Sequence, residues 1–193
     1  MATPKILVLP GSTRGGSYNV KLAALAAKEL TLIDANVTRI SLADYPLPIY
    51  EADLDARGGQ PPNAVKLKQM IMAHQGVFIA SPEYSGSVTP MLKNAIDWVS
   101  RVRERGDPSY AAFKDRVFAI ASASPEPAGG LRSLMALRQI LELGCGALVI
   151  PEQVAIPQAD QAFDAMDNVT DTRIANLLRA QLLRLVEMAQ RMM

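Results

Sequence analysis

One cysteine, Cys145, and one histidine, His74, are all that 193 residues supply of the two strongest metal-binding and nucleophilic side chains. An intramolecular disulfide is therefore excluded, and no Cys/His cluster exists from which a zinc-type site could be built. The absence of disulfides is compatible with a reducing compartment. Charge of one sign is lacking too: 20 Lys+Arg stand against 19 Asp+Glu, a net charge of +1. Without a global field, nucleic acid and anionic membrane are not expected partners. No stretch approaches the roughly 20 apolar residues that span a bilayer, and the apolar run in MATPKILVLPG is shorter than a secretory signal core. These absences read as a cytoplasmic protein.

What is present is an ordinary globular composition, 49% hydrophobic and 20% charged. That length and composition fit a single domain, residues 1–193, with a full core. KILVL (5–9) is continuously apolar and rich in branched residues, as in a parallel strand buried on both faces. A helix is expected from about Ser17 to Leu30, with Ser17 as N-cap. VTRISL (37–42) reads as the second strand, residues 63–74 as a helix, and GVFIA (76–80) as the third strand. Pro90 to Arg103 is helical, RVFAIAS (116–122) is the fourth strand and LRSLMALRQILELG (131–144) the next helix. ALVI (147–150) is the fifth strand, and a last helix covers about Asn168 to Met192. Prolines and glycines in 43–63 predict a long surface loop. Alternating strands and helices give an α/β fold: a five-stranded parallel sheet in the flavodoxin-like order 2-1-3-4-5, with helices on both faces as a three-layer sandwich.

In such a sheet, ligands sit outside the carboxyl ends of the strands, where the strand order reverses. The loops after strands one, three and four are GSTRGGSYN, SPEYSGSVT and SASPEPAGG. The first gathers the hydroxyls of Ser12, Thr13 and Ser17, the Arg14 cation, the Asn19 amide and neighbouring Tyr18 around three glycines at a helix start, the donor set for a phosphate monoester. It lacks the lysine of a G-x-x-x-x-G-K-[ST] loop, since Gly16 precedes Ser17, and it lacks the spacing G-x-G-x-x-G. Nucleoside triphosphate hydrolysis and a dinucleotide pyrophosphate on this loop lose their support, which leaves a mononucleotide. The second loop suits a flat ring: Pro82 stiffens the approach, Tyr84 offers an aromatic plane, and Gly86 lets backbone come close. Glu83 invites a general-base role, but a carboxylate beside a helix start serves backbone N–H groups equally well. Ser122 and Ser124 of the third loop would meet the far side of the ring.

GSTRGGSYNVKLA (11–23) and SPEYSGSVTPMLKNAIDWVSR (81–101) together resemble the NADPH-dependent FMN reductase family, whose relatives include quinone, azo-dye and chromate reductases. The resemblance implies FMN held non-covalently, its phosphate on Ser12, Arg14, Ser17 and Asn19. It sets the flavin ring beside Pro82, Glu83, Tyr84, Ser85 and Gly86. Many members carry Asn after PEY, where this chain has Ser85. The implied reaction is ping-pong: NADPH or NADH reduces the flavin and leaves, and the electrons pass to a small-molecule acceptor such as a quinone, free flavin, an azo compound or a metal oxyanion. The cofactor carries that chemistry, so no catalytic side chain is required and no metal is implied. A flavodoxin-like electron carrier is the rival reading, but its T/S-x-T-G-x-T loop and acidic surface are missing.

The family's homodimers or homotetramers imply that the wide apolar face of the helix around Trp98 meets another subunit. Arg101, Arg103 and Arg105 form a basic cluster, read as a solvated face or as a holder of the NADPH 2′-phosphate. His74 and Cys145 read as packing residues.

Overall fold

The computed structural model of the chain describes residues 3–193. Five strands, β1 (Lys5–Pro10), β2 (Asn36–Arg39), β3 (Gly76–Ala80), β4 (Val117–Ala123) and β5 (Leu148–Ile156), form one parallel sheet in the order β2-β1-β3-β4-β5. Residues of β3 and β4 are buried throughout, because helices cover both faces and leave no side to solvent.

Side chains alternate along each strand, so Ile6 and Val8 enter one layer while Leu7 and Leu9 enter the other. The first layer is closed by α1 (Tyr18–Leu32) and α6 (Thr172–Gln190) through Leu22, Ala26, Leu178, Leu182 and Leu185. The second is closed by α3 (Pro62–Met72), α4 (Pro90–Arg101) and α5 (Leu131–Gln139) through Leu67, Leu92, Ile96, Leu134 and Leu137. Each fully buried leucine or isoleucine contributes roughly 1.5–3 kcal/mol. Gly76 permits the closeness of the first layer: a Cβ there would lie 2.6 Å from Ile6 Cδ1 and 3.2 Å from Leu185 Cδ1.

Three expectations are revised. Segment 43–63 is not a structureless loop. It opens on a 3₁₀ turn at Leu42–Asp44 and contains α2 (Ala52–Gly58). The Glu51 carboxylate caps α2 by accepting from Asp53 N and Leu54 N, both at 2.9 Å; Gly58 is the last residue of this short helix, Gly59 follows it, and the prolines lie outside it. The fifth strand also continues past Pro151. The β4–β5 register shifts between Phe118/Val149 and Ile120/Gln153, so the proline falls in a bulge, where no ladder N–H is needed. Gln181 of α6 donates to Ile120 O at 2.8 Å and Glu152 O at 2.9 Å across this irregularity.

The third revision concerns Trp98. Its side chain is completely buried within the chain, with Nε1 donating to Pro48 O at 2.7 Å and the Tyr50 ring edge-on at 5.1 Å. Asn94 adds a second bond to Pro48 O and accepts from Tyr50 N. The apolar stripe of α4 is thus covered at Trp98 by the chain's own segment 47–50, and this residue is unavailable to a subunit interface.

Candidate active site

The first loop leaves β1 under tight constraint. Gly11 N donates to Ala80 O at 2.8 Å, and a Cβ on Gly11 would lie 2.9 Å from Leu92 Cδ2 and 3.2 Å from Pro82 Cδ. Thr89 fixes the same point: its hydroxyl donates to Gly11 O at 2.7 Å and accepts from Leu92 N at 3.3 Å, capping α4. Thr89 was not among the expected site residues, although a threonine before a helix-opening proline is a recognisable start signal.

Beyond Gly11 the loop turns outward. Thr13, Arg14, Gly15 and Gly16 are exposed, and hypothetical Cβ atoms on both glycines meet nothing within 4 Å. Ser12 and Ser17 are buried at 5% and 4% exposure. Ser17 occupies the N-cap position of α1, yet its hydroxyl makes no capping bond. A serine hydroxyl left free at a helix start, beside an open glycine turn and the Arg14 guanidinium bonded only to Gly15 O, is an anion cradle. One cation, hydroxyls and the first-turn N–H groups of α1 match the chemistry of a phosphate monoester, so the residues present fit the phosphate of FMN.

Asn19 has its side-chain amide engaged within the protein. Its Nδ2 donates to Ala123 O at 2.8 Å and its Oδ1 accepts from Ala123 N at 3.0 Å. The side chain mimics a strand partner and ties the first loop to the end of β4, which fixes the distance between phosphate loop and third loop.

In the second loop, Tyr84 and Ser87 exchange both backbone bonds, at 2.9 and 3.0 Å, around Ser85 (φ 49°) and Gly86 (φ 76°). Positive φ at both central residues defines a type I′ turn. Tyr84 stands half exposed over the cleft and Pro82 is buried beneath it. Glu83 is directed away from proton transfer. Its Oε2 accepts from Arg132 N at 3.1 Å and Ser133 N at 3.4 Å at the start of α5, and its Oε1 pairs with the Arg132 guanidinium at 2.5 Å. The backbone-binding reading of Glu83 therefore holds, with α5 as the helix served.

Ser12, Arg14, Ser17, Tyr18, Pro82, Tyr84 and Ser124 converge on an open cleft of about 460 Å³ at the carboxyl edge of β1, β3 and β4. Four expected contacts, Thr13, Ser85, Gly86 and Ser122, are not among its lining residues. Ser122 is fully buried with its hydroxyl unpaired, beneath Gly130, where a Cβ would lie 1.9 Å from Ser122 Oγ. It supports the floor and does not line the cleft, whereas Ser124 does. Thr13 faces outward, its hydroxyl 3.9 Å from Met91 Sδ, toward a different cleft.

The basic cluster is remote. α4 begins at the carboxyl edge of the sheet and runs back toward the edge where β4 starts, so its twelve residues carry Arg101 about 18 Å along the helix from that edge. There its guanidinium lies over the Tyr50 ring at 5.6 Å. Among the described residues, no group of three or more His, Cys, Asp or Glu is placed to hold a metal.

The profile of the NADPH-dependent FMN reductase family matches residues 4–161. The chain belongs to this family. It is therefore an oxidoreductase, with FMN and NAD(P)H as the groups its family works with. An NAD(P)H-dependent FMN reductase of Pseudomonas aeruginosa is 36% identical over 180 residues, 92% of this chain and 91% of the relative. An NADPH:quinone oxidoreductase of Arabidopsis thaliana is 35% identical, covering 94% of this chain and 89% of the relative. Among solved structures, the flavoenzyme NAD(P)H:(acceptor) oxidoreductase of Paracoccus denitrificans superposes with a TM-score of 0.79 at 28% identity, over 98% of both chains. Both motif loops of this FMN reductase family member fall within the matched span. No helix among its described residues is long and apolar enough to cross a membrane.

Proposed function

We propose that the chain is a cytoplasmic, single-domain NAD(P)H-dependent oxidoreductase that holds FMN non-covalently and works by a ping-pong cycle on small acceptors: quinones, free flavin, azo compounds or metal oxyanions. The observation that carries this reading is the convergence of Ser12, Arg14 and Ser17 with Pro82, Tyr84 and Ser124 on one open cleft. Relatives named as FMN and quinone reductases support it. Bound FMN supplies hydride acceptance from NAD(P)H and onward electron transfer.

The protein's part is binding and orientation. Arg14 and the free Ser17 hydroxyl hold the phosphate end, and Tyr84 and Pro82 flank the flat end. The Glu83–Arg132 pair and the Asn19–Ala123 bonds keep the three loops at a fixed separation. The exposed cleft admits nucleotide and acceptor in turn, as a ping-pong cycle requires. Assembly as a homodimer or homotetramer belongs to the same proposal, through surfaces other than Trp98.

The test is the absorption spectrum of the purified protein, followed by anaerobic titration with NADPH and NADH. A yellow protein bleached by a pyridine nucleotide and reoxidised by a quinone is the expected result. A colourless protein that also fails to bind added FMN removes the proposal.

A further inference from the structure

A second cleft, of about 830 Å³, lies on the outer side of the phosphate loop. Its walls are Ser12 to Gly16 of that loop and Arg39, Ser41 and Asp44 from the end of β2 and the turn after it. Loop 12–16 thus separates two clefts and lines both, so a ligand in the outer one lies alongside the phosphate end of the cofactor site.

The chemistry of the outer cleft is anionic recognition. Arg39 is exposed at the last position of β2, paired in register with Val8, and it joins no ion pair among the described residues. Ser41 Oγ accepts from Ala43 N at 3.2 Å, which leaves its hydroxyl proton free to donate. Asp44, the carboxylate on the wall, also lacks an ion-pair partner and offers an acceptor to amino and hydroxyl groups. A guanidinium, a hydroxyl donor and a carboxylate acceptor together suit a phosphorylated ribose with its base, where a bare anion would use only the first two. In Rossmann dinucleotide folds an arginine near the acidic position about 20 residues after the glycine loop accepts a ribose 2′-phosphate, and Arg39 has the same guanidinium chemistry to offer.

We infer that the outer cleft receives the adenosine 2′-phosphate end of NADPH and that Arg39 is the residue that distinguishes NADPH from NADH. The inference rests on the NAD(P)H-dependent reading above. It places the nucleotide across loop 12–16, with its nicotinamide toward Tyr84 and its phosphorylated ribose at Arg39. It also assigns to the β2 end the role that the distant cluster of Arg101, Arg103 and Arg105 does not fill.

Calorimetric titration of the purified protein with adenosine 2′,5′-bisphosphate, AMP and inorganic phosphate tests it without relying on turnover. The wild type should bind the bisphosphate at least about tenfold more tightly than AMP, the loss on removing one charge-assisted contact. Arg39→Ala should erase that preference while leaving AMP binding unchanged, and Arg39→Lys should restore part of it. In steady-state assays Arg39→Ala should raise KM for NADPH about tenfold, with kcat and KM for NADH unchanged. A wild type with no preference for the bisphosphate, or a variant that keeps it, overturns the inference. Equal changes for NADPH and NADH also overturn it. Inorganic phosphate bound as tightly as the bisphosphate would assign the cleft to free phosphate and reject the nucleotide. Failure to bind FMN or to oxidise either nucleotide would instead remove the proposed function, while the calorimetric comparison still decides the role of Arg39.

Discussion

Glu83 and Arg132 meet at two levels: Glu83 Oε1 pairs with the Arg132 guanidinium at 2.5 Å, and Oε2 accepts from the backbone N–H of the same residue at 3.1 Å. The carboxylate thereby binds both the side chain and the helix start of α5, joining the second loop to the third across the rim of the cleft. Its side chain is only 7% exposed, whereas that of Arg132 is 61% exposed, so the backbone bonds matter more than the screened ion pair.

Replacing this carboxylate by an amide separates support from catalysis. Glu83→Gln keeps the shape but weakens the bonds to the N–H groups of Arg132 and Ser133, and should cost about 1–2 kcal/mol of stability. Urea unfolding reads that loss. The shape of the pH–rate profile should not change, because Glu83 transfers no proton. A lost limb in that profile would make Glu83 a general base after all.

Arg14 and Asn19 stand in one motif and should respond in opposite ways. Arg14→Ala removes an exposed cation whose protein contact is Gly15 O at 3.2 Å, so FMN retention should fall at least about tenfold while the FMN-free Tm stays within the small range typical of surface changes. Asn19→Ala leaves both backbone groups of buried Ala123 without partners, at about 1–3 kcal/mol for each unsatisfied group. Its FMN-free Tm should drop by several degrees, at about 2–4 °C per kcal/mol for a chain of this size. Dialysis against FMN-free buffer and scanning calorimetry of the stripped proteins check the pair. Equal Tm losses would make Arg14 structural.

The fold was legible because its signal is period and continuity. KILVL, GVFIA and RVFAIAS announce buried parallel strands, and their alternation with helices announces a doubly wound sheet, for which the five-stranded order β2-β1-β3-β4-β5 is the natural choice and is the one observed. Pro151 hid the second half of β5, since a proline ends most strands and only the bulge opposite Phe118 and Ile120 makes it harmless. Whether Trp98 packs within the chain or meets another subunit is not legible, because helical spacing shows that a face is apolar, not which partner covers it. That partner, Pro48 and Tyr50, sits about fifty positions away in a segment with no periodicity. Residue type shows which side chains suit a ligand, but not which way each one is turned. Asn19 and Ser122 have polar groups suited to a ligand, but one is taken by Ala123 and the other is buried under Gly130.

His74 makes stability depend on pH. The ring is buried between α3 and β2, with Nδ1–H donating to Met70 O at 2.6 Å and Nε2 2.8 Å from Thr38 Oγ1. Burial, aided by the Lys5 charge and opposed by the Met70 bond, lowers its pKa below the ordinary 6.5. The unfolded chain therefore takes up a proton at a higher pH than the folded chain. The contribution to stability is complete above about pH 6.5 and declines as pH falls from there through the lowered folded value. Unfolding midpoints in urea at pH 7.5 and 5.5 should differ more for the wild type than for His74→Gln, which cannot titrate. Equal differences would place the pH response in the carboxylates instead.

Ser85 carries the remaining prediction. It holds φ 49° ahead of Gly86 at φ 76°, the two central positions of the turn that sets Tyr84 over the cleft. Left-handed backbone costs an ordinary residue about 1–2 kcal/mol, and asparagine tolerates it best among those with side chains because its short amide bonds locally. Ser85→Asn should therefore raise stability by about 0.5–1 kcal/mol without disturbing the Tyr84–Ser87 bonds. Gly86→Ala should lower stability by about 1–2 kcal/mol, since a Cβ adds the same penalty at φ 76°. The two variants act on one turn, so their FMN affinities should follow the same order as their Tm values, with Ser85→Asn at or above wild type. Scanning calorimetry and flavin fluorescence titration measure both quantities. An asparagine variant less stable than wild type would mean that Ser85 is held by contacts beyond the turn's own geometry.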